Sequence, residues 1–296
     1  MAITAALVKD LRERTGAGMM DCKRALTETN GDMEAAIDLM RASGAAKAAK
    51  KSGRVAAEGL VKVNISDDNK TATILEVNSE TDFVTKGDDF INFVNTLGEL
   101  ALKTKPADIE EFLTQTLDNG DSLDKAREDI VAKVGENVSI RRVKTVAVDS
   151  GVIGAYKHGE RIAVLAVLEG GDETLAKDIA MHVAATRPEC VTEDQLDIAL
   201  LEREKAIFVE QARESGKPEN IIEKMIGGRM KKFVNEVTLY GQAFVKDPDI
   251  TVSALAKASN AEVISFIRYE VGEGIEKKEE NFADEVAAQM KGNPLD

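Results

Sequence analysis

The side chains that most often carry catalysis are sparse in this chain of 296 residues. There are two histidines, His158 and His182, and neither sits in an HExxH pattern; no serine stands in GxSxG. Cys22 and Cys190 are far apart and outside any CxxC pair, so they are expected to stay reduced, with no thiolate metal site. Gly16-Ala17-Gly18 lacks the third glycine of a dinucleotide fingerprint, and no Walker-type phosphate loop occurs. Asp and Glu are abundant, but no pair of them has the recognisable geometry of a general acid and base, which leaves a carboxylate-driven hydrolase without support. No catalytic residue, cofactor or metal is therefore expected.

One short segment does stand out. In Thr81-Asp82-Phe83-Val84 an aromatic directly follows a carboxylate at a junction between a strand pattern and a helix pattern. A local reading makes Ser79 and Asp82 a capping box and Phe83 a staple in its own core. A functional reading makes the same pair a projecting tip that acts on a partner.

The elements that must position this segment follow from periodicity. Thr4 to Ser43 reads as three short helices, with breaks at Thr15-Gly16-Ala17-Gly18 and Asn30-Gly31-Asp32, Asp32 as an N-cap and Gly44 as the final stop. The alanine-rich stretch from Ala45 to Arg54, with Lys47, Lys50 and Lys51, reads as an exposed helix or tether. From Leu60 the period becomes two: Leu60 to Ile65, a turn at Asp67-Asp68-Asn69, and Thr73 to Val77 form a hairpin. An amphipathic helix follows through Phe90, Ile91, Val94, Leu97 and Leu100 to Pro106, then helices from Glu111 to Thr116 and Leu123 to Val134, and a strand from Val138 to Val146. The order strand, turn, strand, helix, proline recurs over Gly151 to Pro188, with a turn at Lys157-His158-Gly159. Such short turns exclude parallel crossovers and point to a duplicated α+β unit with antiparallel sheets. His182 reads as a structural helix residue.

Thr192 to Ser215 and a helix through Ile221, Ile222, Met225 and Ile226 read as an inserted helical hairpin. The second unit then resumes with strands from Val237 to Val245 and Val263 to Val271 around a helix from Val252 to Ala258. A last amphipathic helix, Asn281 to Met290, lies beyond Gly272-Glu273-Gly274. The expected division is 1–54 helical bundle and linker, 55–146 first core unit, 147–190 with 228–273 second core unit, 191–227 hairpin, and 274–296 C-terminal module.

Hydrophobic residues make up 43%, enough for real cores, yet no run reaches the roughly 18 residues of a membrane span. With no secretion signal in the sequence given, a cytoplasmic protein that does not enter membranes is expected. A net charge of −14 opposes phosphate backbones, and 4% aromatics supply no stacking platform, which weighs against nucleic acid. The basic stretch to Arg54 keeps one alternative open, a ribosome- or RNA-contacting accessory factor.

Several motifs occur together in one order: Arg14-Thr15-Gly16-Ala17-Gly18-Met19-Met20 before Asp21-Cys22-Lys23-Arg24-Ala25-Leu26; Glu76-Val77-Asn78 with Thr81-Asp82-Phe83-Val84; Gly135-Glu136-Asn137 with Arg141-Arg142; and Arg268-Tyr269-Glu270-Val271-Gly272-Glu273-Gly274. Over the whole chain this resembles bacterial translation elongation factor Ts. The resemblance implies a UBA-like three-helix bundle, the duplicated core, a coiled-coil hairpin and a C-terminal helix. It implies guanine-nucleotide exchange on elongation factor Tu, in its GDP-bound and nucleotide-free forms, without catalysis of bond chemistry.

Thr81, Asp82, Phe83 and Val84 would then disturb the magnesium site of that GTPase. Val8, Lys9, Met19, Met20, Cys22 and Lys23 would dock the bundle, His158 would touch another domain of the partner, and Phe282 and Met290 would lie against the GTPase domain. Met19 and Met20 could equally fill the bundle's own core. The hairpin could pair with a second copy, leaving a homodimer or 2:2 complex open. Glu80 departs from the family pattern by adding negative charge before Thr81.

Overall fold

In the computed structural model, residues 3–15, 19–214 and 218–276 are described. Three helices, α1 (Ala5–Thr15), α2 (Met19–Glu28) and α3 (Met33–Lys51), close around Leu11, Cys22, Leu26 and Ala36. Asp32 caps α3 as expected, its carboxylate accepting from Ala35 N at 3.0 Å. Gly44 does not stop that helix. The chain stays helical to Lys51, with Gly44 buried beside Ala132 of α7 (Leu123–Val134) and Ala48 buried in the core there. The expected tether is thus the docked end of a helix.

The first core unit is a three-stranded antiparallel sheet, β1 (Glu58–Ile65), β2 (Thr71–Ser79) and β3 (Val138–Ala147), with β2 in the middle. Helices α4 (Asp82–Thr85), α5 (Asp88–Thr104) and α6 (Ile109–Leu113) follow β2, and α7 precedes β3. The second unit repeats the plan: β4 (Val152–His158), β5 (Ile162–Gly170) and β8 (Ala261–Glu270) form a sheet with β5 central, and α8 (Glu173–Thr186) follows β5. Two details mark the duplication. The central strand slips register between Glu76 and Val77 in one copy and between Val167 and Leu168 in the other. The covering helices also end alike, on a left-handed residue, Lys105 or Arg187, followed by Pro106 or Pro188.

The sheets pack face to face through Val61, Ala72 and Ile74 against Ile153, Ala163 and Leu165. The outer faces are covered by α5 (Phe90, Val94, Leu97) and by α8 (Ala176, Ile179, Val183). Helix, sheet, sheet, helix is therefore the layer order, and it explains why every residue of β2 is buried.

The inserted hairpin begins later and ends later than its sequence pattern suggests. Asp197 caps α9 (Ile198–Arg213), after a 3₁₀ turn at Glu193–Gln195 whose following residue, Leu196, is buried. Its partner α10 (Glu219–Val237) runs through the start of the expected strand, of which only β6 (Ala243–Phe244) forms. β6 pairs with β7 (Asp247–Thr251), and α11 (Val252–Ala258) leads into β8. Phe208 and Phe233 seal α9 to α10 edge-on at 6.4 Å between ring centres. The expected helix Asn281 to Met290, with Phe282 and Met290, lies outside the described residues. Among the described residues no helix is long and apolar enough to cross a membrane.

Candidate partner-binding site

The site grows from the end of β2. Ser79 is buried, and the chain turns at Glu80 and Thr81 into the single turn of α4. In that turn Val84 packs on the first core and Thr85 is buried, its Oγ1 donating to Asp82 O at 2.8 Å. Helical spacing then sends Asp82 and Phe83 outward. The Phe83 ring is 81% exposed, whereas Phe90 and Phe112 have no exposed surface. The staple reading fails for that reason, since an aromatic on a firmly held turn has been left in water.

The expected capping box is absent as well. Thr81, the N-cap, makes no side-chain cap bond, and Ser79 Oγ donates instead to Thr81 O at 3.1 Å. The turn is held from a distance by Glu136, whose carboxylate accepts from Thr81 N at 2.9 Å and Thr81 Oγ1 at 2.6 Å. Reciprocally, Glu80 accepts from Asn137 N at 2.6 Å and pairs with Arg54 at 3.5 Å. The extra charge of Glu80 is thus used structurally. Lys86 donates to Asp82, which keeps that carboxyl below its usual value, and the Lys86 ammonium lies 5.9 Å from the Phe83 ring centre.

The strand that leads into the tip carries a buried carboxylate. Glu76, midway along β2, has no exposed side-chain surface; it accepts from Arg141 at 3.0 Å, Arg142 at 2.5 Å, Asn78 at 3.0 Å and Gly272 N at 2.8 Å. Burial pushes this carboxyl up, but the bonds from Gly272, Asn78 and Arg142 outweigh it and hold it below its ordinary value. Arg142 in turn stacks 4.0 Å over the Tyr269 ring, so the network ties both units together. Gly272 has φ +74°, and a Cβ there would meet Ala57 O at 2.2 Å, so a larger residue would break the joint.

The other expected contacts divide. Met19 and Met20 are 56% and 76% exposed, and Lys9 and Lys23 are also at the surface. Val8 and Cys22 are not available for docking: both are buried where the three small helices meet, in one cluster with Leu11, Ala25, Leu26 and Ala36. Cys190 is half-buried and donates to Thr192 O. His158 is exposed at the end of β4, with Tyr156 Oη 3.4 Å from its Nδ1. Its neighbours Lys157 and Arg161 line a groove of about 670 Å³ together with Asp82, Lys86 and Leu60, so the β4–β5 turn and the tip flank one concavity.

His182 is structural: its Nδ1 accepts from Val245 N at 3.1 Å and its Nε2 lies 2.9 Å from Gln242 Oε1, which fits a neutral ring. Among the described residues no group of three or more His, Cys, Asp or Glu could hold a metal. Sequence reasoning missed the roles of Glu76 and Glu136. The left-handed Gly135 that ends α7 was the available signal for the second, since it throws the next two residues off the helix toward β2.

Residues 80–273, from the turn to the Gly272 joint, match the family model described as Elongation factor TS. That match places the chain among translation elongation factors. It is 74% identical to Elongation factor Ts of Ruthia magnifica subsp. Calyptogena magnifica over the whole of both chains. It is 58% identical to that of Alkalilimnicola ehrlichii over 99% of this chain and all of the relative. With the corresponding Legionella pneumophila (strain Lens) protein it shares 56% identity over 98% of this chain and 99% of the relative. The chain belongs to the elongation factor Ts family.

Proposed function

We propose that this chain promotes release of GDP from elongation factor Tu by inserting the Asp82–Phe83 turn beside the magnesium and phosphate site. The observation that carries this reading is the Phe83 ring, 81% exposed on a turn whose base is fixed by carboxylate hydrogen bonds. Family membership supplies the partner class. Burying such a ring between partner helices is worth about 1.5–3 kcal/mol, which would be drawn on to displace the elements that grip the nucleotide. Asp82 brings a carboxylate to the same place, where it would compete for metal and phosphate partners.

Met19 and Met20 suit a docking face because thioether side chains adapt to the surface they meet. Lys9 and Lys23 would flank that face, and His158 would mark a second contact. Exchange of this kind forms no bond in the factor and requires no cofactor. By linkage, a factor that weakens GDP binding is itself bound more weakly by the GDP complex, so factor and nucleotide displace each other through a short-lived ternary complex. Nucleotide held at nanomolar affinity corresponds to about 12 kcal/mol, so docking, Phe83 and Asp82 must act together.

The test is release of fluorescently labelled GDP from purified elongation factor Tu. A large acceleration by substoichiometric amounts of this chain is expected. An unchanged release rate at saturating chain would refute the reading.

A further inference from the structure

The loop after α7 holds two elements at once. On one side Lys51 Nζ donates to Gly135 O, and the Asn137 side-chain amide donates to Ser52 O at 3.4 Å and Arg54 O at 2.8 Å. These groups end the helix on which the N-terminal bundle is built. On the other side Glu136 grips Thr81, and Asn137 N donates to Glu80. Asn137 is itself buried, so the loop is fixed from below.

We propose that Glu136 is a positioning residue for nucleotide exchange: it holds the Asp82–Phe83 turn in its projecting conformation before the partner arrives. This rests on the exchange reading above. Thr81 has no cap within its own turn, and α4 is only four residues long, so the turn has little structure of its own. Two charge-assisted bonds from one carboxylate, to the amide and the hydroxyl of a single residue, define both the position and the rotation of the turn's first residue. Fixing it in the free chain removes an ordering cost that would otherwise fall on the step in which Phe83 enters. Because the same loop is fastened to the end of α3, the turn is also held in a constant relation to the bundle that carries Met19 and Met20.

A purely structural role would change folding or affinity; a positioning role changes the rate of the bound complex. GDP release from elongation factor Tu is measured against the concentration of full-length parent, Glu136→Ala, Glu136→Gln, Thr81→Val and Phe83→Ala, with unfolding midpoints recorded for each. Glu136→Ala is expected to lower the saturated rate about tenfold while the half-saturating concentration moves less than about twofold. Glu136→Gln should fall between, because its one carbonyl oxygen can still accept from Thr81. Thr81→Val combined with Glu136→Ala should be no slower than Glu136→Ala alone, since both remove the same contact.

A parent-like saturated rate for Glu136→Ala and Glu136→Gln beside a slow Phe83→Ala overturns the positioning role and leaves the exchange reading standing. A defect seen only as weaker half-saturation overturns it too. A parent-like Phe83→Ala strikes the exchange reading and the positioning role together.

Discussion

The two core units share a plan, yet their strand-to-helix junctions are built in opposite ways. In the second unit β5 ends at Gly170, Asp172 accepts from Leu175 N at 2.8 Å, and α8 begins at once. The cap is local, the connection is short, and no large apolar residue of that junction is left in water. In the first unit a whole extra turn, α4, intervenes between β2 and α5, its base is held by Glu136, 55 residues away, and Phe83 projects from it. A second contrast lies within the same central strands. At matching bulges the second unit buries Val167, while the first buries Glu76, which is held by two half-buried arginines and the Asn78 amide. At these two positions the copy that carries the tip uses long-range polar contacts where the other uses a local cap and an apolar side chain, and polar contacts fix orientation where a hydrophobic contact would not.

The largest effect should come from removing that difference at Glu76. Glu76→Val, which installs the residue type of the second unit, takes the Glu76 carboxylate from Arg141 and Arg142, leaving Arg142, among the described residues, only the carboxylate of Glu273 at 3.5 Å, and should cost about 3 kcal/mol in urea unfolding. The sign of the pH effect follows from the lowered carboxyl: its stabilisation is complete above the ordinary value of 4.5 and is lost as pH falls through the lower folded value. The parent should therefore lose stability in that acid range more steeply than Glu76→Val, and parallel curves would contradict the assignment.

Next comes the packing of each covering helix on its edge strand. A Cβ on Gly154 would meet the Ala176 backbone at 2.1 Å, whereas one on Gly98 would meet the side chains of Asn64 and Lys62. Backbone cannot step aside and flexible side chains can. Gly154→Ala should cost about 2 kcal/mol and Gly98→Ala less, both read from thermal unfolding.

His182 supplies a smaller, pH-dependent contrast, because it belongs to the second unit alone. Burial holds its imidazole below the ordinary value of 6.5, with the Gln242 contact opposing. Its stabilisation is therefore full above 6.5 and is lost as pH falls from there through the lowered value, by at most about 1.4 kcal/mol per pH unit. His182→Gln should flatten this slope between pH 6.5 and the onset of carboxylate titration. The smallest effect is expected from Asp172→Ala, which removes a local cap and should cost about 1 kcal/mol without altering nucleotide release.

Legibility in the sequence follows the same line between local and distant. The hairpin from Leu60, the helix from Leu123 to Val134 and the repeat of the whole unit were readable, because period, turn residues and the closing prolines act within a few positions. Gly44 misled, since a glycine ends a helix by turning left-handed just past its last turn, whereas here Gly44 stays helical, buried beside Ala132 of α7. The overrun of α10 into the expected strand goes with burial of Val234 in its last turn and of Thr238 just beyond it. For the site, the acid–aromatic pair was visible, but spacing could not say whether Phe83 faced inward. That was decided by Val84 and Thr85, which occupy the inner side of the turn. Glu76 looked like an ordinary polar residue of an alternating strand, and its partners on β3 and beyond β8 left no mark at short spacing. Sequence cannot separate Val8 and Cys22, which the structure buries, from the exposed Met19 and Met20, because an interface residue and a core residue of a small bundle share the same apolar character.

The central claim of the proposal is that exchange on elongation factor Tu depends on the exposed Phe83 ring, acting together with Asp82 and docking. The most direct test compares saturating parent and Phe83→Ala chains in labelled-GDP release from elongation factor Tu. A loss of about 10- to 100-fold in the saturated rate, with Phe83→Ala as stable as the parent in urea, is the expected result. Equal saturated rates for the two chains would contradict it.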